Sequence, residues 1–249
     1  MPLRLFFALL LCAVALAASR PQIAVAADFT SDQKKEIEAI VRDYLKNHPE
    51  MLIDAMKAAD DKLKADEQAK AVETLAAHRQ EVFNDPRSPV AGNPNGNVTL
   101  VEFFDYRCPY CKQVEPALEK LIGDDHQLRF VFKEFPVLGP DSEIAARVAL
   151  AAKKQGKYDA FHRAMMNIGG HIDEAVIYKV AASVGLDVER VKQDVKLPDI
   201  DKELKADLDL GKLLDLSGTP SFIVGDTIVP GAIGAEELKQ LIATARGKS

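Results

Sequence analysis

The sequence predicts an α/β fold, with a helical insertion inside the sheet-forming part and an α-helical extension ahead of it. Three observations point there. Val98, Leu100, Val101, Phe103 and Phe104 form an apolar run that reads as a buried strand, and Val114, Leu118, Leu121 and Ile122 recur at helical spacing just after it. Residues 128–135 (LRFVFKEF) alternate and are rich in aromatic side chains, as a second strand would be. Between residues 139 and 216 the pattern is helical throughout, and strand signals return only at Ser221. A strand, a helix and a second strand make a right-handed crossover, so the first two strands are expected to lie parallel.

The chain opens on a segment that does not belong to the fold. Residues 3–18 are apolar with one early charge, Arg4, and residues 24–27 (AVAA) suit signal peptidase. The expectation is a cleaved export signal, residues 1–27, with the mature chain starting near Ala27 or Asp28. A membrane anchor is the competing reading, but the apolar run is short for a span and the small-residue site follows it. Cys12 follows Leu11, where a lipoprotein signal needs a small residue, and is lost with the signal. Cleavage also removes Arg4 and Arg20, leaving 30 basic against 38 acidic residues, a net charge of −8. That balance speaks against nucleic acid or an anionic membrane as partner.

Residues 28–85 read as the helical extension. Ser31 is placed to cap a helix carrying Ile37, Ile40, Val41, Tyr44 and Leu45, which stops near Asn47 and His48 because Pro49 follows. A second stripe runs through Leu52, Met56, Ala59 and Leu63, breaks at the polar residues 66–70, and resumes with Val72, Leu75, Ala76 and Phe83. Narrow stripes on isolated helices need a surface to bury against. Packing on the rest of the chain and self-association through the extension are both open at this point. Asp66–Lys70 is also a candidate flexible joint. His48 and His78 read as helix-end residues, not ligands. Residues 84–97 (NDPRSPVAGNPNGN) mark a boundary, with a short edge strand expected around 88–91, so the second domain is drawn as residues 86–249.

The insertion, about residues 139–216, is read as five helices, the first capped by Asp141. Met165, Met166 and His162 fall close together in it; a Met pair on a helix is read as core filling in preference to a soft-metal site. The last block runs from a loop through Ser221, Phe222, Ile223 and Val224, turns at Gly225 and Asp226 into Ile228 and Val229, and closes with a helix over residues 235–245.

The chemistry sits between the first strand and its helix, in Cys108-Pro109-Tyr110-Cys111. Cys108 falls at the N-cap and Pro109 at the first helical position, where a fixed φ suits a helix start. A sulfur at the positive end of a helix dipole favours thiolate, the form that attacks disulfides. Cys108 is expected to face solvent as nucleophile, with its pKa lowered mainly by helix N–H groups; Cys111, a turn inside, is the resolving thiol. Once the signal is removed these are the only cysteines, which suits redox chemistry better than a structural disulfide framework. Zinc would need about four ligands, and no second pair or short-spaced His partner appears. Lys112 stands where a haem attachment motif needs histidine. No metal and no cofactor are expected. Glu102, six residues before Cys108, sits inside the apolar run, where burial would raise its pKa toward a value useful for proton transfer; a solvent-facing strand carboxylate is the alternative. Thr219-Pro220 heads the later strand, where a proline does not break the ladder and a cis bond is cheap.

These motifs, in this order, resemble the thioredoxin superfamily, and within it the DsbA-like exported thiol–disulfide oxidoreductases. The resemblance covers residues 88–249 and implies a thioredoxin fold with an inserted helical subdomain. It also implies that the Thr219-Pro220 bond is cis, that its loop packs on the dithiol and contacts the substrate backbone, and that Glu102 handles the proton of Cys111. The acidic helical extension ahead of FFDYRCPYC resembles the ScsC group, linked with copper tolerance, some of whose members oligomerise through that extension and act as disulfide isomerases. The expected protein is therefore a periplasmic oxidoreductase or isomerase acting on unfolded or misoxidised exported proteins, with a membrane redox partner. It is expected to be a homo-oligomer, dimer or trimer, without stable membrane insertion. Tyr110 stands where the strongest oxidase of the family has histidine, so a less oxidising pair is expected. A monomeric dithiol oxidase, a Cu(I)-binding protein using the two thiolates, and a holdase with helical arms are the competing readings.

Overall fold

The computed structural model describes residues 29–247. The expected export signal, with Cys12, lies outside them. Two compact units part between Lys62 and Leu63.

In the first unit, helix α1 (Ser31–Asn47) opens with a capping box: the Thr30 hydroxyl accepts from the Gln33 N–H, and the Gln33 side chain accepts from the Thr30 N–H. The cap is thus Thr30, one residue before the expected Ser31, because its extended backbone lets the hydroxyl reach the first turn; such a cap contributes about 1 kcal/mol. His48 ends the helix and Pro49 begins helix α2 (Pro49–Ala77). Helix α1 buries none of its residues: Ile37, Ile40, Val41 and Tyr44 are exposed, as are Leu52, Ile53 and Met56 on α2. The helix does not break at residues 66–70. The apolar stripe does, but Ala, Glu, Gln and Lys are good helix formers and carry the backbone through.

The second unit begins inside α2. Leu75 is fully buried, and the short helix α3 (Arg79–Phe83) adds Val82 and Phe83 to the same core. The boundary expected near residue 85 therefore falls within this unit, because the last apolar residues of the extension pack on the sheet. That sheet comprises β1 (Val90–Gly92), β2 (Val98–Phe104), β3 (Leu128–Glu134), β4 (Ser221–Val224) and β5 (Thr227–Pro230), in the order β1-β3-β2-β4-β5. Strands β2 and β3 are parallel, as expected, and are joined through α4 (Pro109–Asp124); each other neighbouring pair is antiparallel. The expected edge strand is β1.

Alternation along β2 divides the core. Leu100 and Phe104 point to one side, where they meet Cys111, Val114 and Leu118 of α4 and Leu238 and Ile242 of the C-terminal helix α10 (Ala235–Arg246). Val101 and Phe103 point to the other side, toward Leu75, Val82, Phe83 and Ile223. Between β3 and β4 come α5 (Pro140–Lys154), α6 (Tyr158–Met166), α7 (Glu174–Ser183), α8 (Val188–Asp194) and α9 (Pro198–Leu213). Helix α5 is capped by Gly139, not Asp141: Gly139 takes φ 108°, a region open to glycine, and Pro140 fills the first position, which moves Asp141 into the first turn. His162, Met165 and Met166 are buried in the core, where the two methionines act as filling.

A buried ion cluster was not evident from the pattern. Strand β3 is covered on both faces, so Lys133 is sealed in and pairs with Asp207 of α9 at 3.0 Å and with Asp85 at 4.0 Å. Removing one partner from such a pair costs about 3–5 kcal/mol, because the other charge is left stranded.

Helix α9 approaches the end of β3 closely at Gly211, where a side-chain carbon would run into the ring of Phe135. Phe135 is itself buried and edge-on to Phe103 at 5.8 Å, so it has no room to yield. We expect Gly211→Ala to lower the unfolding free energy by about 1–3 kcal/mol in urea titrations, with an unchanged m-value.

Candidate active site

The loop between β2 and α4 is held by one carboxylate. Asp105 Oδ1 accepts from the N–H of Arg107 at 2.8 Å, and Oδ2 accepts from the N–H groups of Val137 and Leu138 at 2.9 and 3.0 Å. The Asp105 carbonyl takes the Cys108 N–H at 3.0 Å, and Arg107 Nη1 donates to the Leu138 carbonyl at 2.8 Å. The loop after β3 is thereby tied to the turn that carries the first cysteine.

Cys108 is the N-cap of α4 and Pro109 its first residue, as the sequence requires. Both cysteines are thiols. Cys111 is fully buried, and Cys108 is only 3% exposed, so the expected solvent-facing nucleophile is in fact covered. What covers it is the loop before β4: Cys108 Sγ lies 3.1 Å from the carbonyl oxygen of Thr219, and the Thr219-Pro220 bond is cis. Tyr110 instead projects outward, 60% exposed.

The two thiols are driven in opposite directions. Cys108 is lowered to about 5, first by the hydrogen bond that Cys111 donates to its thiolate. Burial opposes this, and hydrogen bonds from the Thr219 side chain and from the N–H groups of Cys111 and Tyr110 add to the lowering. The expectation that helix N–H groups dominate is thus corrected: the partner thiol, one turn along and aimed at Sγ, is the stronger donor. Cys111 is pushed far up by the same bond, by burial and by the charge of Glu102. One thiol is thus favoured as thiolate and the other as thiol.

Glu102 is fully buried on the face of β2 that carries Leu100 and Phe104, and neither of its oxygens has a hydrogen-bond partner. The solvent-facing alternative is excluded. Burial raises its pKa well above the ordinary carboxylate value, with the charges of Glu115 and Cys108 adding to it. A carboxyl raised in this way holds its proton more tightly than an ordinary one, which suits it to proton transfer with a thiol.

Sequence reasoning missed Asp105, Lys112 and Glu115. Lys112 folds away from the dithiol and donates to the carbonyls of Met165, Ile168 and Met166 at 2.7, 2.8 and 3.4 Å, closing the C-terminal end of α6. Burial lowers its pKa to about 8. Glu115 could have been picked out, since it lies four residues past Cys111 and so on the same helix face; nothing local marks Asp105 or Lys112. Among the described residues, no three His, Cys, Asp or Glu side chains are grouped to hold a metal ion, and no helix is long and apolar enough to cross a membrane.

Residues 99–243 match the family described as DSBA-like thioredoxin domain, and residues 33–66 match the copper resistance protein ScsC N-terminal domain. Among solved structures, a thioredoxin-like oxidoreductase from Silicibacter pomeroyi DSS-3 is 43% identical, covering 69% of this chain and 99% of that one with a TM-score of 0.67. Proteus mirabilis ScsC in a transitional conformation is 33% identical over 89% of this chain and 100% of that one, with a TM-score of 0.66. Among curated proteins, the Na(+)/H(+) antiporter NhaA 1 of Salinispora arenicola is 31% identical over 164 residues, 65% of this chain. The matched part is only about a quarter, 25%, of that relative's length.

Alkylation of the reduced protein by iodoacetamide should follow a single thiolate titrating with a midpoint near the value of about 5 set by the Cys108 environment, not near the 9.0 of an ordinary thiol. Because this acidic pKa is depressed by folding, the reduced form gains stability that is complete above the unfolded thiol's pKa and is lost as pH falls through the folded value. Cys111→Ser should raise the midpoint by one unit or more, since the dominant donor is weakened; peptide mapping checks that the label sits on Cys108.

Proposed function

The chain belongs to the DSBA-like thioredoxin-domain family, and from that premise we propose that it is an exported thiol–disulfide oxidoreductase whose Cys108–Cys111 pair exchanges disulfides with other exported proteins, chiefly as an isomerase. The observation that carries the reading is the opposed pair of thiols at one helix end, Cys108 lowered and Cys111 raised.

Exchange proceeds through a mixed disulfide. In isomerisation, the Cys108 thiolate attacks a wrong client disulfide; one client sulfur leaves as thiolate and the other stays bonded to Cys108. A client thiolate then attacks that bond and restores Cys108. If the client stalls, Glu102 takes the proton of Cys111, Cys111 attacks Cys108, and the client leaves reduced. In the oxidising direction, a client thiolate attacks the Cys108–Cys111 disulfide at Cys108, and a second client thiolate completes the client disulfide while the dithiol departs. Thr219 and Pro220 present the client backbone to Cys108; the supporting geometry is the 3.1 Å approach of the Thr219 carbonyl. A membrane redox partner resets the resting state.

The isomerase assignment rests on the extension. Its helices expose a run of apolar side chains, Ile37, Ile40, Val41 and Tyr44 on α1 and Leu52, Ile53 and Met56 on α2. A surface of that kind suits self-association, and several dithiols in one assembly can hold and retest a misoxidised client. Export to the periplasm follows from the leader-like residues 1–27. Copper tolerance is a second reading, favoured by the family match of residues 33–66. It would use the dithiol as a Cu(I) ligand pair, and copper retained by the parent chain but lost in Cys108→Ser, without exchange activity, would support it.

The test compares the whole mature chain with its Ile40→Glu, Tyr44→Glu double variant. The parent should sediment as a dimer or trimer and recover activity from a scrambled-disulfide client; the variant should be monomeric, recover several-fold less, and oxidise a dithiol peptide at least as fast. Equal, poor recovery by both, with fast peptide oxidation, would assign a monomeric oxidase.

A further inference from the structure

Behind the dithiol, a string of polar side chains runs from the catalytic helix into the insertion, entirely buried. Glu115 lies one turn beyond Cys111 on α4, and its Oε1 is 3.5 Å from Nε2 of His162 on α6. The other ring nitrogen, Nδ1, is 3.2 Å from the Tyr106 hydroxyl, which donates to Glu134 Oε1 at 3.2 Å. Tyr158 donates to the same oxygen at 2.8 Å. The imidazole is 1% exposed, edge-on to Phe104, tilted against Phe132 and stacked on Tyr158. The titratable groups facing it are therefore Glu115 from α4, Tyr106 from the active-site loop, Tyr158 from its own helix and, through the tyrosines, Glu134 from β3. Nε2 makes no hydrogen bond.

Hydrogen-bond accounting assigns the protons. The Tyr106 hydroxyl gives its proton to Glu134, so Nδ1 acts as the donor to that hydroxyl. Nε2 then points at a carboxylate oxygen. At 3.5 Å Nε2 and Glu115 Oε1 make no hydrogen bond, but a bare nitrogen lone pair facing a carboxylate in a dry core is repulsive, which favours a proton on one of the two atoms.

We propose that His162 is a positioning residue for the resolving step, holding a proton against Glu115 so that Glu115 presents little net charge to Glu102. The proposal deepens the thiol-exchange reading and rests on it. Glu102 shares the relevant face: it is the register partner of Phe132, whose ring centroid is 4.5 Å from that of His162. Glu115 is the first charge, after burial itself, that acts on the Glu102 carboxyl. An uncompensated Glu115 would raise the Glu102 pKa further, so that less of it is ionised and ready to accept a proton. With that charge offset, Glu102 accepts the proton from the Cys111 S–H, Cys111 Sγ bonds to Cys108 Sγ, and the client sulfur leaves as thiolate with the electron pair of the broken bond.

The test follows release of a single-cysteine peptide from a preformed mixed disulfide with Cys108, from pH 4 to 9, in the whole mature chain. His162→Gln should move the midpoint of release upward by about one pH unit or more, the usual effect of an uncompensated like charge. Adding Glu115→Gln should bring it back toward the parent value, which a merely structural role of His162 would not do. An unshifted midpoint in folded His162→Gln, or a shift that persists in the double variant, overturns the proposal. Nitrogen and carbon NMR of the parent protein give a readout without mutation: Nδ1 bearing a proton is expected, with a second proton on Nε2 or on the Glu115 carboxyl, and a bare Nε2 facing an ionised Glu115 at the pH of rapid release overturns it. A parent chain that forms no mixed disulfide at all overturns the exchange reading itself, a failure distinct from these.

Discussion

Cys108 Sγ and the Thr219 carbonyl oxygen lie 3.1 Å apart, although 111 residues separate them along the chain. The sheet and the segments that flank it hold the two together. One side comes from the N-terminal end of α4, directed by β2 and locked by the Asp105 carboxylate; the other comes from the loop that feeds β4, which pairs antiparallel with β2 from Leu100 to Phe103. A strand pair thus carries both halves of the site, and any shift in register would move the carbonyl off the sulfur. The cover over Cys108 is a backbone edge, the Thr219 carbonyl.

Five ionisable side chains are buried together in this part of the core. Glu102, Glu115, His162, Tyr106 and Glu134 are all buried, and burying them costs several kcal/mol unless they are paired or neutral. Glu102 has no hydrogen-bond partner on either oxygen, and His162 has none at Nε2. An unpaired buried carboxyl whose charge acts on the Cys111 thiol is expensive for stability and is the kind of group found at functional sites. Lys112 joins the same region mechanically: by closing the end of α6 it ties the catalytic helix to the insertion, so the two cannot separate without exposing three carbonyls.

Much of this was legible in the chain itself, for identifiable reasons. The strand, dithiol and helix announced themselves because Val98 to Phe104 and Val114 to Ile122 have clean periods and Pro109 marks the helix start. Burial of Glu102 could be anticipated from its apolar neighbours. Three things could not. The cover over Cys108 depends on a loop more than a hundred residues away. The dominance of the Cys111 thiol over helix N–H groups is set by which donor aims at Sγ, which spacing does not reveal. The boundary of the second unit lies at Leu63, not near residue 85, because Leu75, Val82 and Phe83 bury against the sheet, while a Pro- and Gly-rich loop after them looks locally like a linker.

The measurement that tests the central claim most directly is trapping. The account assigns attack to Cys108 and resolution to Cys111. Incubating reduced Cys111→Ser with a peptide disulfide should accumulate a mixed disulfide that mapping places on Cys108, while Cys108→Ser under the same conditions should accumulate none. Adduct on Cys111 in the second variant, or equal trapping by both, would contradict the assignment and with it the division of labour that the fold imposes on the pair.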